Sequence, residues 1–218
     1  MLFFPEIRLK KICDSLFKYL KENLKQNITS GTENQSILYL YFHEDTTDLN
    51  ISTNYLQAKE IFLREESDPR YVQISPVFDR KRSTLPTIFV TIPQDSESLL
   101  ELGDIEGSSY SEILNNKLER GYQTNFGLIT ISDNINETLI INYVLRALLL
   151  GSLSTLQLFG FISPSFSVQD LSPQSEIVPS NAYSKGLLMT ATYIEKVPEL
   201  ESPDKINEVI FDVNEILY

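Results

Sequence analysis

The sequence predicts an α+β domain: an antiparallel sheet packed by an N-terminal helix and by a long, apolar central helix. Three observations predict it. Between Leu139 and Phe161, within the stretch 133–161, Leu, Ile, Val, Ala, Tyr and Phe fill most positions and Arg146 is the only charge. Residues 5–26 repeat apolar side chains at helical spacing, with Lys and Glu between them. The runs 85–92, 125–131 and 183–194 are rich in β-branched, aromatic and other apolar residues and have Pro, Asn or polar segments at their ends. Strands and helices in such an order build a sheet with helices laid on it.

Composition limits the function classes. A hydrophobic content of 42% is enough for a real core in one domain of 218 residues. The net charge of −12 is unevenly placed: residues 1–27 carry +3, which leaves −15 on the rest. A body this acidic is poorly suited to gripping nucleic acid through its phosphates, so no sequence-specific nucleic-acid binding is expected. The single cysteine, Cys13, excludes an internal disulfide and fits a reducing compartment. No signal peptide is read at the start, where the apolar run 1–4 is short and followed at once by charges. The three Asn-x-Ser/Thr matches at Asn27, Asn50 and Asn136 are then read as chance.

In chain order, Pro5 opens the first helix, and Ile7, Ile12, Leu16, Tyr19, Leu20 and Leu24 mark its apolar side. Cys13 falls beside that side and is expected to pack in the core. Residues 36–43, SILYLYFH, are apolar on both alternating faces and read as an interior strand. Residues 55–66 fit a short helix or a strand. Residues 71–78 read as an edge strand because Pro76 interrupts them. The basic triplet Arg80–Arg82 reads as a solvated loop tip in preference to a phosphate site. The strand at 85–92 is expected to stop at Pro93.

Residues 94–121 form a long acidic insertion, with 110–118 a candidate short helix. The strand at 125–131 then leads into the central helix, predicted over 135–160 and about 37 Å long. Asn134 is its cap, and Glu137 three residues later completes a capping box. Gly160 suits the left-handed residue that ends it. Asn142, Arg146, Ser154 and Gln157 fall near one narrow stripe, and nearly all the remaining circumference is apolar. Such a helix is covered on several sides by protein or lies in lipid. Arg146, Asn142 and the polar residues that follow favour burial in protein, as does the lack of flanking Lys and Arg clusters. One sheet covers one side only, so the chain or a neighbouring copy must supply a second cover. Gly151 and Ser152 are expected where another element approaches closely. Residues 163–181 read as irregular, 183–194 as a buried strand, and 203–217 as a helix, with a strand as the weaker alternative. The predicted domain covers residues 1–198, and residues 199–218 form a C-terminal docking segment.

Catalytic constellations are not evident. His43 is the only histidine, so a three-histidine metal site is impossible. His43, Glu44 and Asp45 fit the turn after a strand better than a metal site. No nucleophile elbow, P-loop or dinucleotide fingerprint occurs. A carboxylate pair is the remaining route to an enzyme.

Three pieces together resemble the tail-terminator and neck proteins of tailed bacteriophages. They are the opening amphipathic helix, the strand-to-helix unit NFGLITISDNINETLIINYVLRALLLGSL, and the proline-bearing segment into a last strand, DLSPQSEIVPSNAYSKGLLMTATY. They cover residues 5–26 and 84–198 and carry no invariant motif. The resemblance implies a non-enzymatic α+β ring subunit of the virion neck or tail, made in the host cytoplasm. It implies a homo-oligomer, hexameric or dodecameric, that contacts other neck and tail proteins and needs no cofactor or metal. This chain is longer than that pattern at 44–78, 94–121 and beyond 197, which leaves open which ring it forms. Arg146, Leu150, Gly151, Ser154 and Gln157 are the expected assembly and packing positions. Asp95, Glu97, Glu101, Asp104 and Glu106 are expected to face the lumen or an adjoining ring, where an acidic lining would repel passing DNA. The rival readings are an enzyme using a carboxylate pair and a membrane-associated protein anchored by residues 139–161.

Overall fold

The structure, a computed structural model, describes residues 5–43, 49–76, 84–97, 117–170 and 182–198. Helices α1 (Pro5–Thr29), α2 (Ile37–His43) and α3 (Leu49–Leu63) come first. Strands β1 (Gln73–Ser75), β2 (Thr87–Glu97) and β3 (Lys117–Ser132) follow. Then come α4 (Ile135–Gly151), α5 (Leu153–Leu158), β4 (Ile162–Asp170) and β5 (Tyr183–Pro198). The sheet has five strands in the order β1-β2-β3-β5-β4. It is mixed, because β1 runs parallel to β2 while every other neighbour is antiparallel. The α+β class holds, and the all-antiparallel sheet is corrected.

Alternation along β3 positions the core. Phe126, Leu128 and Thr130 are fully buried on the helix-bearing face, where Leu187 and Met189 of β5 join them. Ile129 and Ile131 point to the opposite face and pack with Phe89 and Ala182 in a second, small cluster. Helix α4 lies over β3 and β5, α1 over β1 and β2, and α2 and α3 pack on α1 and α4. The second cover for the central helix is therefore this chain's own α1–α3. Its buried apolar positions (Ile140, Ile141, Val144, Leu145, Leu148 and Leu149) span about half of the circumference. No helix among the described residues is long and apolar enough to cross a membrane.

Several elements depart from the sequence reading. The run 36–43 is a helix, not a strand. The Ser36 hydroxyl accepts the Tyr39 N–H, and the Ser36 carbonyl accepts the Leu40 N–H, which starts a helical turn. An apolar run of seven residues satisfies both periods, and here the groove beside α1 and α3 decided. The ambiguous stretch 55–66 is largely the helix α3. The strand at 85–92 does not stop at Pro93: β2 absorbs it in a bulge between Thr91 and Gln94 and continues to Glu97. The insertion shrinks accordingly, because Lys117–Gly121 pair with Ile194–Pro198 of β5. Residues 162–170, read as irregular, form the edge strand β4, with Pro164 inside the irregularity between Ile162 and Ser165. The edge assignment for β1 agrees with its place at the end of the sheet. Of the candidate helix 110–118, Lys117 and Leu118 belong to strand β3 instead; residues 110–116, Arg80–Arg82, Glu44–Asp45 and the segment 199–218 lie outside the described residues.

The central helix is broken. Helix α4 ends at Gly151, and Ser152 closes it by donating its N–H and its hydroxyl to the Leu149 carbonyl. After that break α5 continues to Leu158. Glycine followed by a serine that bonds back to the previous turn is a weak point in any helix. The expected stop holds in detail. Gly160 (φ 92) donates to the Gln157 carbonyl and Phe161 to the Leu156 carbonyl, as in a Schellman ending.

Candidate functional site

The start of α4 carries a network of charges. Asn134 caps the helix, its side chain accepting the Asn136 and Glu137 N–H groups at 2.9 and 3.4 Å. The second half of the expected capping box is absent, because Glu137 has other partners. Its carboxylate, 4% exposed, accepts from Arg64 and Arg70 at 2.6 Å each and from the Ser132 hydroxyl. Arg70 also forks onto both oxygens of Asp133, at 3.0 and 2.7 Å. The Arg70 guanidinium holds the Asp133 carboxyl below its usual range, chiefly through this hydrogen bonding. Arg64 additionally donates to the Arg70 carbonyl at 3.0 Å. The network ties the end of α3 and the following turn to the end of β3 and the first turn of α4. A carboxylate there is also favoured by the positive end of the helix.

A cleft of about 460 Å³ opens over this network between Gln57, Glu60, Arg64, Arg70, Asn136 and Glu137. A larger groove of about 910 Å³ lies between α1, the end of α3 and β1. Its lysines are occupied: Lys21 and Lys25 hold Glu65 at 2.9 and 2.6 Å. They bring the Glu65 carboxyl down to about 2. In both clefts these cations are matched by carboxylates, so neither presents a convergent charge to a phosphate or to a reacting carbonyl.

The other chemical candidates are accounted for locally. Cys13 is fully buried, as expected, and burial pushes its thiol up to about 12, far from a thiolate at neutral pH. His43 ends α2, stacks on Tyr39 at 3.7 Å and places Nδ1 3.2 Å from the Tyr39 carbonyl. Among the described residues no three His, Cys, Asp or Glu side chains are placed to hold a metal ion.

The expected assembly residues are each exposed: Arg146, Leu150 and Gly151 at the end of α4, and Ser154 and Gln157 on α5. Ser152 is buried, at 8%. The close approach expected at Gly151 does not occur within the protomer: an added Cβ would meet only the Tyr41 hydroxyl, at 3.8 Å. Gly151→Leu is therefore expected to change the unfolding free energy by less than ~0.5 kcal/mol. A urea titration showing a markedly lower midpoint would reveal a contact at this position. Gly127 is the tighter site, where a Cβ would lie 2.7 Å from the Thr91 hydroxyl. Of the acidic set, Asp95 and Glu97 lie in β2 opposite Thr124 and Tyr122. Glu101, Asp104 and Glu106 lie outside the described residues.

Sequence reasoning missed two features. The Arg64–Arg70–Glu137 network joins residues about seventy positions apart, and Glu137 had a sufficient local explanation as half of a capping box. The second is the apolar surface around the expected assembly residues. Leu139, Tyr143 and Leu150 are exposed along α4, and Leu153, Leu158 and Phe159 continue on and beyond α5. Leu158 is 87% exposed. Ile162 and Val168 extend the apolar character into β4, at the outer end of the sheet. Between Ser165 and Gln169 that edge carries no charge and no proline. The helical periodicity was visible, but which stripe α1–α3 would leave bare was not.

No family model matches the chain, and no curated protein is similar to it in sequence.

Proposed function

We propose that this chain is a non-catalytic building block of a ring in the neck or tail of a tailed bacteriophage, as a tail terminator or head–tail connector. The observation that carries the reading is the exposed apolar stripe from Leu139 to Ile162, beside the edge strand β4, whose stretch Ser165–Gln169 carries no charge and no proline. Apolar patches of this kind mark association surfaces, and uncharged edge strands invite pairing by another chain. An edge that pairs with a different surface on its neighbour makes a head-to-tail contact, and such contacts close into rings when the rotation permits. The order of opening helices, strands, a strand-to-helix unit and two closing strands also supports it. Adjoining neck or tail proteins are the further partners, and the virion is the site of action.

Native mass measurement of the purified full-length chain tests this reading. The expected result is a closed assembly, hexameric or dodecameric, alone or upon addition of a neck partner. A stable monomer at high concentration that also fails to join a neck or tail assembly would overturn it.

A further inference from the structure

We infer that β4 of one copy pairs with β1 of the next, which lays the helix-side row of β4 at the mouth of the groove beside β1. The inference rests on the self-assembly proposed above and names the two surfaces that make the contact. β1 and β4 are the two ends of the sheet. β1 runs with β2 and β5 and against β3 and β4, so side-by-side copies of the same orientation bring β4 antiparallel to β1. The layers also continue across such a junction, because α1 lies over β1 and α5 over β4, both on the side of the main core. Pairing every β4 with the next β1 leaves no open edge in a closed ring. Pairing β4 with β4 instead closes a two-fold dimer and leaves every β1 unpaired.

The two surfaces match in charge and in polarity. From Ala147 to Gln169 the chain carries no charged side chain. On β4, Phe166 and Val168 stand on the helix side, opposite Met189 and Leu187, and Val168 is 41% exposed. Ser165, Ser167 and Gln169 line the other side and are exposed. The groove of about 910 Å³ beside β1 has an apolar floor of Phe17, Ile61, Phe62, Tyr71, Val72 and Ile74. Lys21 and Lys25 at its rim are matched by Glu65, so the groove suits an uncharged, apolar occupant. Ile74 lies on the helix side, opposite Ile88 of the core. Antiparallel pairing therefore sets Ile74 across from Phe166 or Val168 of the neighbour as an apolar cross-strand pair. β1 is three residues long and Pro76 follows it, so the ladder is short and the side chains at the groove carry most of the contact.

Cross-linking of full-length chains tests the inference. Gln73 is exposed on the side of the sheet that Ser165, Ser167 and Gln169 also face. Within one chain these positions are four strand spacings apart, about 19 Å, beyond the reach of a short bismaleimide. Chains carrying Gln73→Cys together with Ser165→Cys, Ser167→Cys or Gln169→Cys in turn are treated with that reagent; the three positions bracket both registers of Ile74. Cys13 is buried and leaves the background low. The expected product is a ladder of covalently joined chains from at least one pair, in roughly tenfold higher yield than from either cysteine alone, and adding Val168→Lys lowers it about tenfold.

No pair exceeding its single-cysteine controls overturns the inference. So does a β4 cysteine that cross-links equally well by itself, which would show β4 pairing with β4, or a yield that Val168→Lys leaves unchanged. Native mass of the untreated chain reads ring formation separately. A ring without the ladder defeats this inference and leaves the ring proposal standing, whereas a ladder from chains that form no closed assembly supports the contact and defeats the ring.

Discussion

Glu137→Ala is expected to destabilise the chain by about 3–5 kcal/mol. Its carboxylate, 4% exposed, takes charge-assisted hydrogen bonds from Arg64 and Arg70 at 2.6 Å. Truncation leaves the Arg64 side chain, 13% exposed, without its carboxylate. Arg70 keeps Asp133 as a partner and is 39% exposed, so most of the loss is expected to fall on Arg64. That asymmetry gives the second arm of the test. Because buried ion pairs are often replaceable by apolar residues of similar size, the double variant Arg64→Met, Glu137→Leu is expected to recover most of the lost stability. Urea denaturation of the single and double variants checks both statements. A wild-type midpoint for Glu137→Ala would show that the network contributes nothing.

The sequence was most legible where a structural signal is local. Asn134 caps α4 and Gly160 takes its left-handed φ because each is fixed by its own few neighbours. Cys13 was correctly placed by the periodicity of α1. Misreadings arose where the deciding contact is distant. SILYLYFH satisfies two periods at once, and only the packing of α1, α3 and α4 selects helix. Strand β4 was hidden by Pro164 and three serines, and β5 holds it in place through Ser165–Asp170. The ends of β2 and β3 extend past the helix layer, where no apolar alternation is required and none is seen. The exposed stripe was illegible for the converse reason. A helix apolar on nearly every side does not reveal which side its own chain leaves bare, and here the sheet and α1–α3 together cover all but one line of residues.

The second large effect is expected at Phe126→Ala, with a loss of about 3–5 kcal/mol. Phe126 is fully buried in β3, opposite Met189 of β5, and meets the buried Phe161 edge-to-face at 5.5 Å between ring centres. Removing the ring subtracts its transfer energy and leaves a cavity that a sheet residue, held by neighbours on both sides, cannot collapse to fill. For a chain of this size each kcal/mol is about 2–4 °C, so the melting temperature is expected to fall by roughly 10 °C. Phe161 follows Gly160 directly and anchors the turn from α5 into β4. The cavity therefore lies under the part of the surface that carries Leu158, Phe159 and Ile162. In the assembly proposed above, loss of association is expected at temperatures where the variant is still folded, because its exposed side chains no longer sit on a fixed base. Phe126→Leu, which keeps most of the volume, is expected to lose less than half as much stability and to retain assembly. Thermal unfolding followed alongside native mass separates the two effects. A Phe126→Ala variant that assembles normally up to its own melting point would show that the turn is held by other contacts.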